Sequence, residues 1–336
     1  MACLRYHCGT KLLTIGKPNI AGQTLAPTIL VLSTDASQYL PLLKEVERSG
    51  AQICTAATAQ EAVSGDVGFE IVLGEPGLVV AVLDLLPDVK WVQSSWAGVT
   101  PLLRHPRRDY VLTGVKDTFG PQMAEYVLGY LLAHELGLLE RLGRQANKHW
   151  WARPTGTLQG KTLGIMGTGS IGRYIAAMAR PFGLRVTGYS RSGAMVDGFD
   201  AVFSADQLHD FLAAPDYIAC VLPDTGETDG LLGPKAFAAM KQGAYLVNVG
   251  RGSLIDESAL AAALASGRLA GAALDVFREE PLPESSPLWH ARGALITAHV
   301  AAQSHPQDIA ALFTENYRRF TSGETLHYII DFERGY

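Results

Sequence analysis

The chain has 336 residues, of which 48% are hydrophobic and 18% charged, so it is long enough for two domains and too apolar to be disordered. Its 28 basic and 33 acidic side chains give a formal net charge of −5. That charge argues against a general binder of nucleic acid or of membrane surfaces, and no such partner is expected. The four cysteines have no paired spacing, which is typical of a reducing compartment.

The first 26 residues show no clear periodicity, and we interpret residues 1–26 as an N-terminal extension. Charged residues interrupt the apolar core that a signal peptide needs. No apolar run approaches the roughly 20 residues of a membrane span. These features predict a soluble, cytoplasmic protein.

From Thr28 onward, short β-rich runs alternate with stretches of helical spacing, the first helix being predicted around residues 39–48. This alternation predicts parallel strands joined by crossover helices. The predicted strands of this first series are 28–33, 51–56, 69–74 and 90–95.

The pattern changes near Gly120, where residues 120–151 read as one long helix. Its segment 126–139 is unusually apolar. A helix of this kind is buried between domains, packed against a partner chain, or an ordinary core helix, and the sequence leaves these readings open.

A second, more regular series of strands and helices follows residue 160, with glycine or proline at nearly every junction. Six predicted strands with intervening helices are enough for a complete doubly wound sheet. The strands are 162–166, 184–189, 216–222, 244–249, 271–276 and 294–297. A last helix around residues 307–320 is expected to return to the first domain.

Gly167, Gly169 and Gly172 have the G-x-G-x-x-G spacing between a predicted strand and a predicted helix. In this βαβ context the glycines allow a tight turn, close approach of a pyrophosphate, and close packing of helix on strand. The amides of Ser170 and Ile171 then face the phosphates. A glycine-rich turn without a ligand is the weaker alternative.

The second strand of this unit ends in Ser190-Arg191-Ser192, without the carboxylate that would accept the ribose hydroxyls of NAD. An arginine between two hydroxyls suits a 2′-phosphate. We therefore predict a preference for NADP(H), with NAD(H) as the alternative cofactor. The competing interpretation of Arg191 is a solvated loop residue.

Three residues with complementary chemistry each follow a predicted strand: Arg251, Glu280 and His299. Since ligands gather at the carboxyl ends of parallel strands, these residues can converge on one site. A guanidinium can bind a carboxylate and polarise a carbonyl, and a histidine backed by a carboxylate can move a proton near neutral pH. Each taken singly could be an ordinary surface residue.

With these motifs in order, the chain resembles the D-isomer-specific 2-hydroxyacid dehydrogenase family. The resemblance rests on GTGSIG, NVGRGSLIDESAL, GAALDVFREEPLP, SPLW and ITAHVAAQS, and it runs from about Thr28 to the end. NADPH-dependent glyoxylate/hydroxypyruvate reductases look closest, because of Ser-Arg-Ser, KDTFGPQMAEYVL and the terminal RGY.

The resemblance implies an α/β fold with two doubly wound domains. A Rossmann dinucleotide-binding domain (119–301) is inserted into a flavodoxin-like substrate-binding domain (27–118 and 302–336). It also implies a homodimer formed largely through the long helix after Gly120.

The resemblance assigns roles to matching positions. Arg251 would bind the carboxylate and carbonyl oxygens of the substrate. His299 would donate a proton to the 2-oxo oxygen, and Glu280 would orient its ring and favour the imidazolium. Asp275 would accept from the carboxamide of the cofactor. Further cofactor contacts are expected from Leu222, Pro223, Thr228, Val249 and Gly250, and substrate contacts from Gly74, Trp96, Ala97 and Gly98.

Two positions depart from the family pattern. Trp96 stands in a loop that usually has small residues, and it would narrow or cover the pocket. Ala298 stands where a proline commonly precedes the catalytic histidine, which should loosen the loop without removing a catalytic group.

The leading functional prediction is NADPH-dependent reduction of a small 2-oxo acid, of the glyoxylate or hydroxypyruvate type, to the D-2-hydroxy acid, without a metal. One alternative is a dehydrogenase of the same family for another 2-oxo acid. The other is a non-catalytic, dinucleotide-sensing protein of the corepressor type.

Overall fold

The computed structural model describes residues 27–64 and 68–335, so the predicted extension 1–26 lies outside the described residues. The described chain divides into two compact units. Unit 1 takes the residues up to Thr118 and those from Ser304 onward, and unit 2 is Phe119–Gln303. Unit 2 is therefore inserted into the sequence of unit 1. The sequence-based prediction places these boundaries after residues 118 and 301.

Each unit contains one sheet in which all strand pairs are parallel. The strands of unit 1 are β1 (Thr28–Leu32), β2 (Gln52–Ala56), β3 (Ile71–Gly74), β4 (Trp91–Ser94) and β5 (Val111–Thr113). Those of unit 2 are β6 (Thr162–Met166), β7 (Arg185–Tyr189), β8 (Ala201–Phe203), β9 (Tyr217–Cys220), β10 (Ala244–Asn248), β11 (Leu269–Leu274) and β12 (Ala294–Ile296).

The strand orders identify both folds. Unit 1 has the order β2-β1-β3-β4-β5, which is the flavodoxin-like order. Unit 2 has the order β12-β11-β10-β9-β6-β7-β8, which is the Rossmann order with one further strand at the β12 edge. The predicted fold of two doubly wound α/β domains is confirmed.

Twelve α-helices flank these sheets in the described part of the chain. In chain order they are α1 (Ala36–Tyr39), α2 (Lys44–Arg48), α3 (Ala59–Ala62), α4 (Pro76–Val82), α5 (Thr100–Arg104), α6 (Gly120–Glu135), α7 (Leu138–Ala146), α8 (Ser170–Ala179), α9 (Leu208–Ala213), α10 (Pro234–Ala239), α11 (Glu257–Ala265) and α12 (Pro306–Ser322). None of these described helices has the length and apolar character needed to cross a membrane.

The prediction of one helix over residues 120–151 is wrong. The segment forms α6 and α7, separated at Gly137, which has a φ of 59°. The amide of Gly137 donates to the carbonyl of His134, so this residue ends α6 in the left-handed conformation that glycine adopts most easily. The predicted helix at 39–48 is likewise two short helices, α1 and α2.

The last helix, α12, belongs to unit 1, as expected. The ring of its Phe313 stacks on Trp91 of β4 with 5.0 Å between centroids. The Asn316 side chain donates to Gln93 Oε1 at 3.1 Å, and both residues are fully buried. Because buried amides are costly unless hydrogen-bonded, this contact fixes how α12 packs on the sheet.

Candidate active site

The turn between β6 and α8 has the geometry that a dinucleotide requires. Gly167 has a φ of 114°, a conformation that side-chain-bearing residues rarely adopt. A Cβ on Gly172 would lie 1.9 Å from the carbonyl oxygen of Gly167, so the helix approaches the strand closely. A Cβ on Gly169 would meet nothing within 4 Å.

Helix α8 begins at Ser170, which Ile171 follows. The first backbone amides of this helix have no side-chain cap. Uncapped amides at a helix N-terminus are suited to bind an anion, and the space beside Gly169 gives a pyrophosphate access to them. The turn therefore fits the phosphates of a dinucleotide.

Ser190, Arg191 and Ser192 follow β7 at the same edge of the sheet. The two serine hydroxyls accept the amides of Gly193 and Ala194, at 3.2 and 3.3 Å. The Arg191 side chain is 67% exposed, and one of its nitrogens lies 4.0 Å from Glu227. An exposed guanidinium that has only this distant, exposed partner among the described residues is available to a phosphate.

Five more cofactor candidates lie at the carboxyl ends of β9 and β10. The Thr228 hydroxyl donates to the Pro223 carbonyl at 2.8 Å, and the Val249 amide donates to Cys220 at 3.2 Å. A Cβ on Gly250 would lie 3.0 Å from the carbonyl oxygen of Leu222. The two loops are therefore in close contact.

The turn carrying Arg251 is held by Asn248, which is fully buried at the end of β10. Its side chain accepts the Gly250 amide at 3.2 Å and donates to the Arg251 carbonyl at 3.1 Å. A Cβ on Gly252 would overlap the backbone of Phe277, so only glycine allows this approach. Asn248 thus sets the position of Arg251.

The Arg251 guanidinium donates to the Gly250 carbonyl at 2.7 Å and is partly buried. Burial lowers the pKa of Arg251 below its ordinary value, and the carboxylates of Asp224 and Glu280 oppose that shift. Arginine stays charged under these conditions, so the group is a fixed cation close to an acid of the site.

His299 and Glu280 form a direct pair. The Nδ1 atom of His299 lies 2.8 Å from Oε2 of Glu280. The other carboxylate oxygen of Glu280 accepts the Phe277 amide at 2.9 Å, which orients the carboxylate. The side chains are 54% and 36% exposed, so the imidazole is accessible to a ligand.

Asp275 lies at the end of β11 and is 1% exposed. Its Oδ1 accepts the Thr297 hydroxyl at 2.5 Å and the Val300 amide at 2.9 Å, and its Oδ2 accepts the Ala301 amide at 2.9 Å. A carboxylate has about four acceptor positions, so one remains on Oδ2. The predicted contact with a cofactor carboxamide stays a prediction, and it is limited to that position.

The substrate candidates Gly74, Trp96, Ala97 and Gly98 lie in unit 1, at the carboxyl ends of β3 and β4. A Cβ on Gly74 would lie 2.7 Å from the carbonyl oxygen of Leu32. The Ser94 hydroxyl donates to the Trp96 carbonyl at 2.7 Å and accepts its amide at 3.1 Å, while the indole is half-exposed. The departure at Trp96 therefore presents a large ring at the surface of this loop.

In unit 2, the three predicted catalytic residues and the predicted cofactor residues all lie at the side of the sheet where its parallel strands have their carboxyl ends. The sequence reasoning missed Asn248, Thr297 and Tyr126, which position parts of this side through hydrogen bonds. The sequence contains one usable signal for Asn248, because it is a polar residue at the end of an otherwise apolar strand. Within the described residues, no cluster of three or more His, Cys, Asp or Glu side chains could hold a metal ion.

Comparisons with known proteins agree with this geometry. Residues 128–301 match the family model for the NAD binding domain of D-isomer specific 2-hydroxyacid dehydrogenases. The chain is 34% identical over 256 residues to glyoxylate/hydroxypyruvate reductase A of Serratia proteamaculans, covering 74% of this chain and 82% of that protein.

Two solved structures extend the likeness over nearly the whole chain. A family member from Aeromonas salmonicida is 42% identical, with a TM-score of 0.87 over 91% of this chain and 99% of that one. An NADPH-dependent glyoxylate/hydroxypyruvate reductase from Sinorhizobium meliloti, solved with NADP and sulfate, is 28% identical, with a TM-score of 0.79 over 93% and 100%. Together with the matched family model, these likenesses confirm the predicted resemblance: the chain belongs to the D-isomer specific 2-hydroxyacid dehydrogenase family.

Proposed function

We propose that this chain reduces a small 2-oxo acid, of the glyoxylate or hydroxypyruvate type, to the D-2-hydroxy acid with NADPH. The observation that carries the proposal is the 2.8 Å contact between His299 and Glu280, beside the cation of Arg251. The names of the reductases from Serratia proteamaculans and Sinorhizobium meliloti support this substrate class and cofactor.

The acid role falls to His299. Its Nδ1 faces Glu280, so the proton for the 2-oxo oxygen leaves from Nε2. The Glu280 carboxylate holds the ring by accepting from Nδ1. In the oxidative direction the neutral Nε2 takes the proton back.

Arg251 binds the carboxylate of the substrate and polarises its 2-oxo group. A guanidinium presents several donors in a fixed plane, which matches adjacent carboxylate and carbonyl oxygens. The Asn248 side chain donates to the Arg251 carbonyl, and the Arg251 guanidinium donates to the Gly250 carbonyl. The backbone of this turn is therefore fixed before the substrate arrives.

The β6–α8 turn would hold the pyrophosphate, and Ser190, Arg191 and Ser192 would hold a 2′-phosphate. The cofactor, when bound, supplies the hydride for C2 of the substrate. Asp275 has one acceptor position left for its carboxamide, and Gly74, Trp96, Ala97 and Gly98 are proposed to contact the substrate.

We also propose that the chain forms a homodimer and acts in the cytoplasm. The support for the dimer is an apolar patch on α7 and the loop after it, defined here by Leu138, Leu139, Leu142 and Trp150. These side chains are 46%, 53%, 53% and 93% exposed. Leu138 and Leu142 are four residues apart on one helix and therefore share a face, and large exposed apolar groups so placed mark an interaction surface.

A steady-state screen of 2-oxo acids with NADPH and NADH in parallel tests the proposal. Turnover of small 2-oxo acids with NADPH preferred is the expected result. Replacing Arg191 by Gln should raise KM for NADPH by roughly 10- to 100-fold, since a hydrogen bond between charged groups contributes ~1.5–3 kcal/mol. The KM for NADH should change little.

The control is Arg185→Gln, because Arg185 is an exposed arginine at the opposite end of the same strand. It should alter neither KM. An enzyme that prefers NADH contradicts the cofactor assignment. Absence of turnover with every 2-oxo acid would favour the dinucleotide-sensing alternative.

A further inference from the structure

The residues just after β12 are fixed by an unusual number of hydrogen bonds to one buried carboxylate. We define the histidine loop as residues 297–303, which contains His299. Asp275 accepts a hydroxyl and two amides from this loop, and its own carbonyl accepts the His299 amide at 2.8 Å. Four hydrogen bonds thus join one residue to four of the seven loop positions.

These hydrogen bonds stabilise an unfavourable backbone conformation, because His299 has a φ of 54°. A side-chain-bearing residue in the left-handed region costs about 1–3 kcal/mol and persists only where its surroundings require it. The hydrogen bonds that Asp275 accepts from residues before and after His299 offset that free-energy cost. They hold the backbone that directs Nδ1 toward Glu280.

Helix α6 supports the loop from its other side. The Tyr126 hydroxyl lies 2.7 Å from the Thr297 hydroxyl. The Gln122 side chain, one turn earlier, donates to the Gln303 carbonyl at 3.0 Å and accepts the Gln303 amide at 2.9 Å. Residues four apart lie on the same helix face, so α6 contacts both ends of the loop.

The direction of the central hydrogen bonds follows from their chemistry. A carboxylate only accepts, so Thr297 donates to Asp275 and has its lone pairs left for Tyr126. Tyr126 is therefore the donor. Burial raises the pKa of Tyr126, which keeps the phenol protonated in that role.

We infer that Thr297 is a positioning residue for His299, acting through the Tyr126–Thr297–Asp275 hydrogen-bond chain. The inference rests on the proposed function, since it gives Thr297 a part in the same proton transfer. Thr297 does not touch the substrate. It joins α6 to the carboxylate that fixes the histidine loop, and so it holds the imidazole at the distance and angle that transfer requires.

The test compares Thr297→Val with Thr297→Ser. Valine keeps the shape and removes the hydroxyl, which breaks the contact between Tyr126 and position 297 and leaves Asp275 with one donor fewer. We expect kcat for 2-oxo acid reduction to fall by about tenfold with little change in KM for NADPH, and serine to restore it to within about twofold. Tyr126→Phe should have a smaller effect, because Thr297 can still donate to Asp275.

Thr187→Val is the matched control. Thr187 lies on β7 of the same unit, and its buried hydroxyl has no hydrogen-bond partner among the described residues. This substitution should leave kcat unchanged, and it reveals what loss of a threonine hydroxyl does to the unit in general.

A second measurement does not depend on activity. Hydrogen exchange of the Val300 and Ala301 amides, which Asp275 accepts, should be faster in Thr297→Val than in the wild type. Unchanged exchange and unchanged kcat would overturn the inference. Faster exchange in a protein without 2-oxo acid turnover would refute the proposed function and leave Thr297 as the anchor of the loop.

Discussion

At the scale of single residues, the site depends on one contact that connects two loops. Glu280 follows β11 and His299 follows β12, and these two strands are neighbours in the sheet. The carboxylate is oriented by the Phe277 amide before it meets the imidazole. If His299 is the proton donor, as proposed, it needs no rearrangement at the moment of reaction.

Replacing His299 by Asn should therefore lower kcat for 2-oxo acid reduction by roughly 10²–10⁴-fold, the usual contribution of a general acid. Binding of NADPH, measured by fluorescence titration, should be nearly unchanged, because the proposed phosphate-binding residues, the β6–α8 turn and Arg191, lie in other loops. The control is His209→Asn, at an exposed histidine on α9. Loss of NADPH binding in the His299 variant would contradict the assigned role.

At the scale of secondary-structure elements, the glycines of the β6–α8 turn act in two different ways. Gly172 is required by packing, because a Cβ there would overlap the Gly167 carbonyl oxygen. Gly169 is next to open space, so packing does not require a glycine there, and we propose that its lack of a side chain serves the cofactor. Stability and cofactor binding can therefore be separated by substitution.

We expect Gly172→Ala to lower the free energy of unfolding by about 1–3 kcal/mol, as overpacking does. Gly169→Ala should leave stability nearly unchanged and weaken NADPH binding. Gly129→Ala is the control: it lies within α6, where a Cβ meets nothing within 4 Å, and alanine should stabilise by about 0.4–1 kcal/mol. Chemical denaturation and NADPH titration of the three variants measure both effects. Equal losses of stability at 169 and 172 would argue against this division.

The end of α6 is joined to the sheet of unit 2 by a buried carboxylate. Glu135 accepts from Lys161 and from the Tyr217 hydroxyl, both at 2.6 Å, and its side chain is 7% exposed. Burial acts to raise the pKa of Glu135, but these hydrogen bonds and the Lys161 charge outweigh it and hold the pKa below its ordinary value. The carboxylate therefore stabilises the fold as long as it is ionised.

Glu135→Gln should lower the free energy of unfolding by about 2 kcal/mol near neutral pH. A carboxyl with a depressed folded-state pKa contributes fully above its ordinary value and loses that contribution as the pH falls through the folded-state pKa. The difference between wild type and variant should thus narrow in acid. Urea titrations across this pH range measure it, with the exposed Glu140→Gln as control. A difference independent of pH would rule out ionisation of Glu135 as the cause.

At the scale of the whole molecule, the described chain consists of two α/β units with different sheet orders, one inserted into the sequence of the other. The patch of Leu138, Leu139, Leu142 and Trp150 lies in unit 2 and has no covering segment within that unit. Its apolar character is the physical reason to expect a second copy of the chain.

Light scattering should give twice the chain mass at micromolar concentration. Replacing Leu139 and Leu142 together by Lys should shift the equilibrium to the monomer, since charges would then be buried at the interface. Leu85→Lys, at a leucine that is 63% exposed in unit 1, should leave the mass unchanged. A wild-type monomer would contradict an obligate dimer.

Local patterns in the sequence were sufficient for much of the fold and for the candidate residues. Strands and helices follow from short-range periodicity, and the G-x-G-x-x-G turn has meaning only between a strand and a helix, both of which can be read nearby. The three-residue strands β5 and β8 were not predicted, whereas β12, which is equally short, was. The break at Gly137 was missed because glycine occurs inside helices as well as at their ends.

The amino-acid pattern alone was enough to predict the α/β class, the glycine-rich turn and the candidate residues Arg251, Glu280 and His299. How these groups are held is visible only in the folded chain: the 2.8 Å pair, the Asn248 contacts, and the link from Tyr126 to Thr297 across 171 positions. The physical reason is that a motif records neighbours along the chain, whereas a hydrogen bond depends on atoms brought within about 3 Å by packing. Residues distant in sequence meet only when the strands and helices between them have assembled.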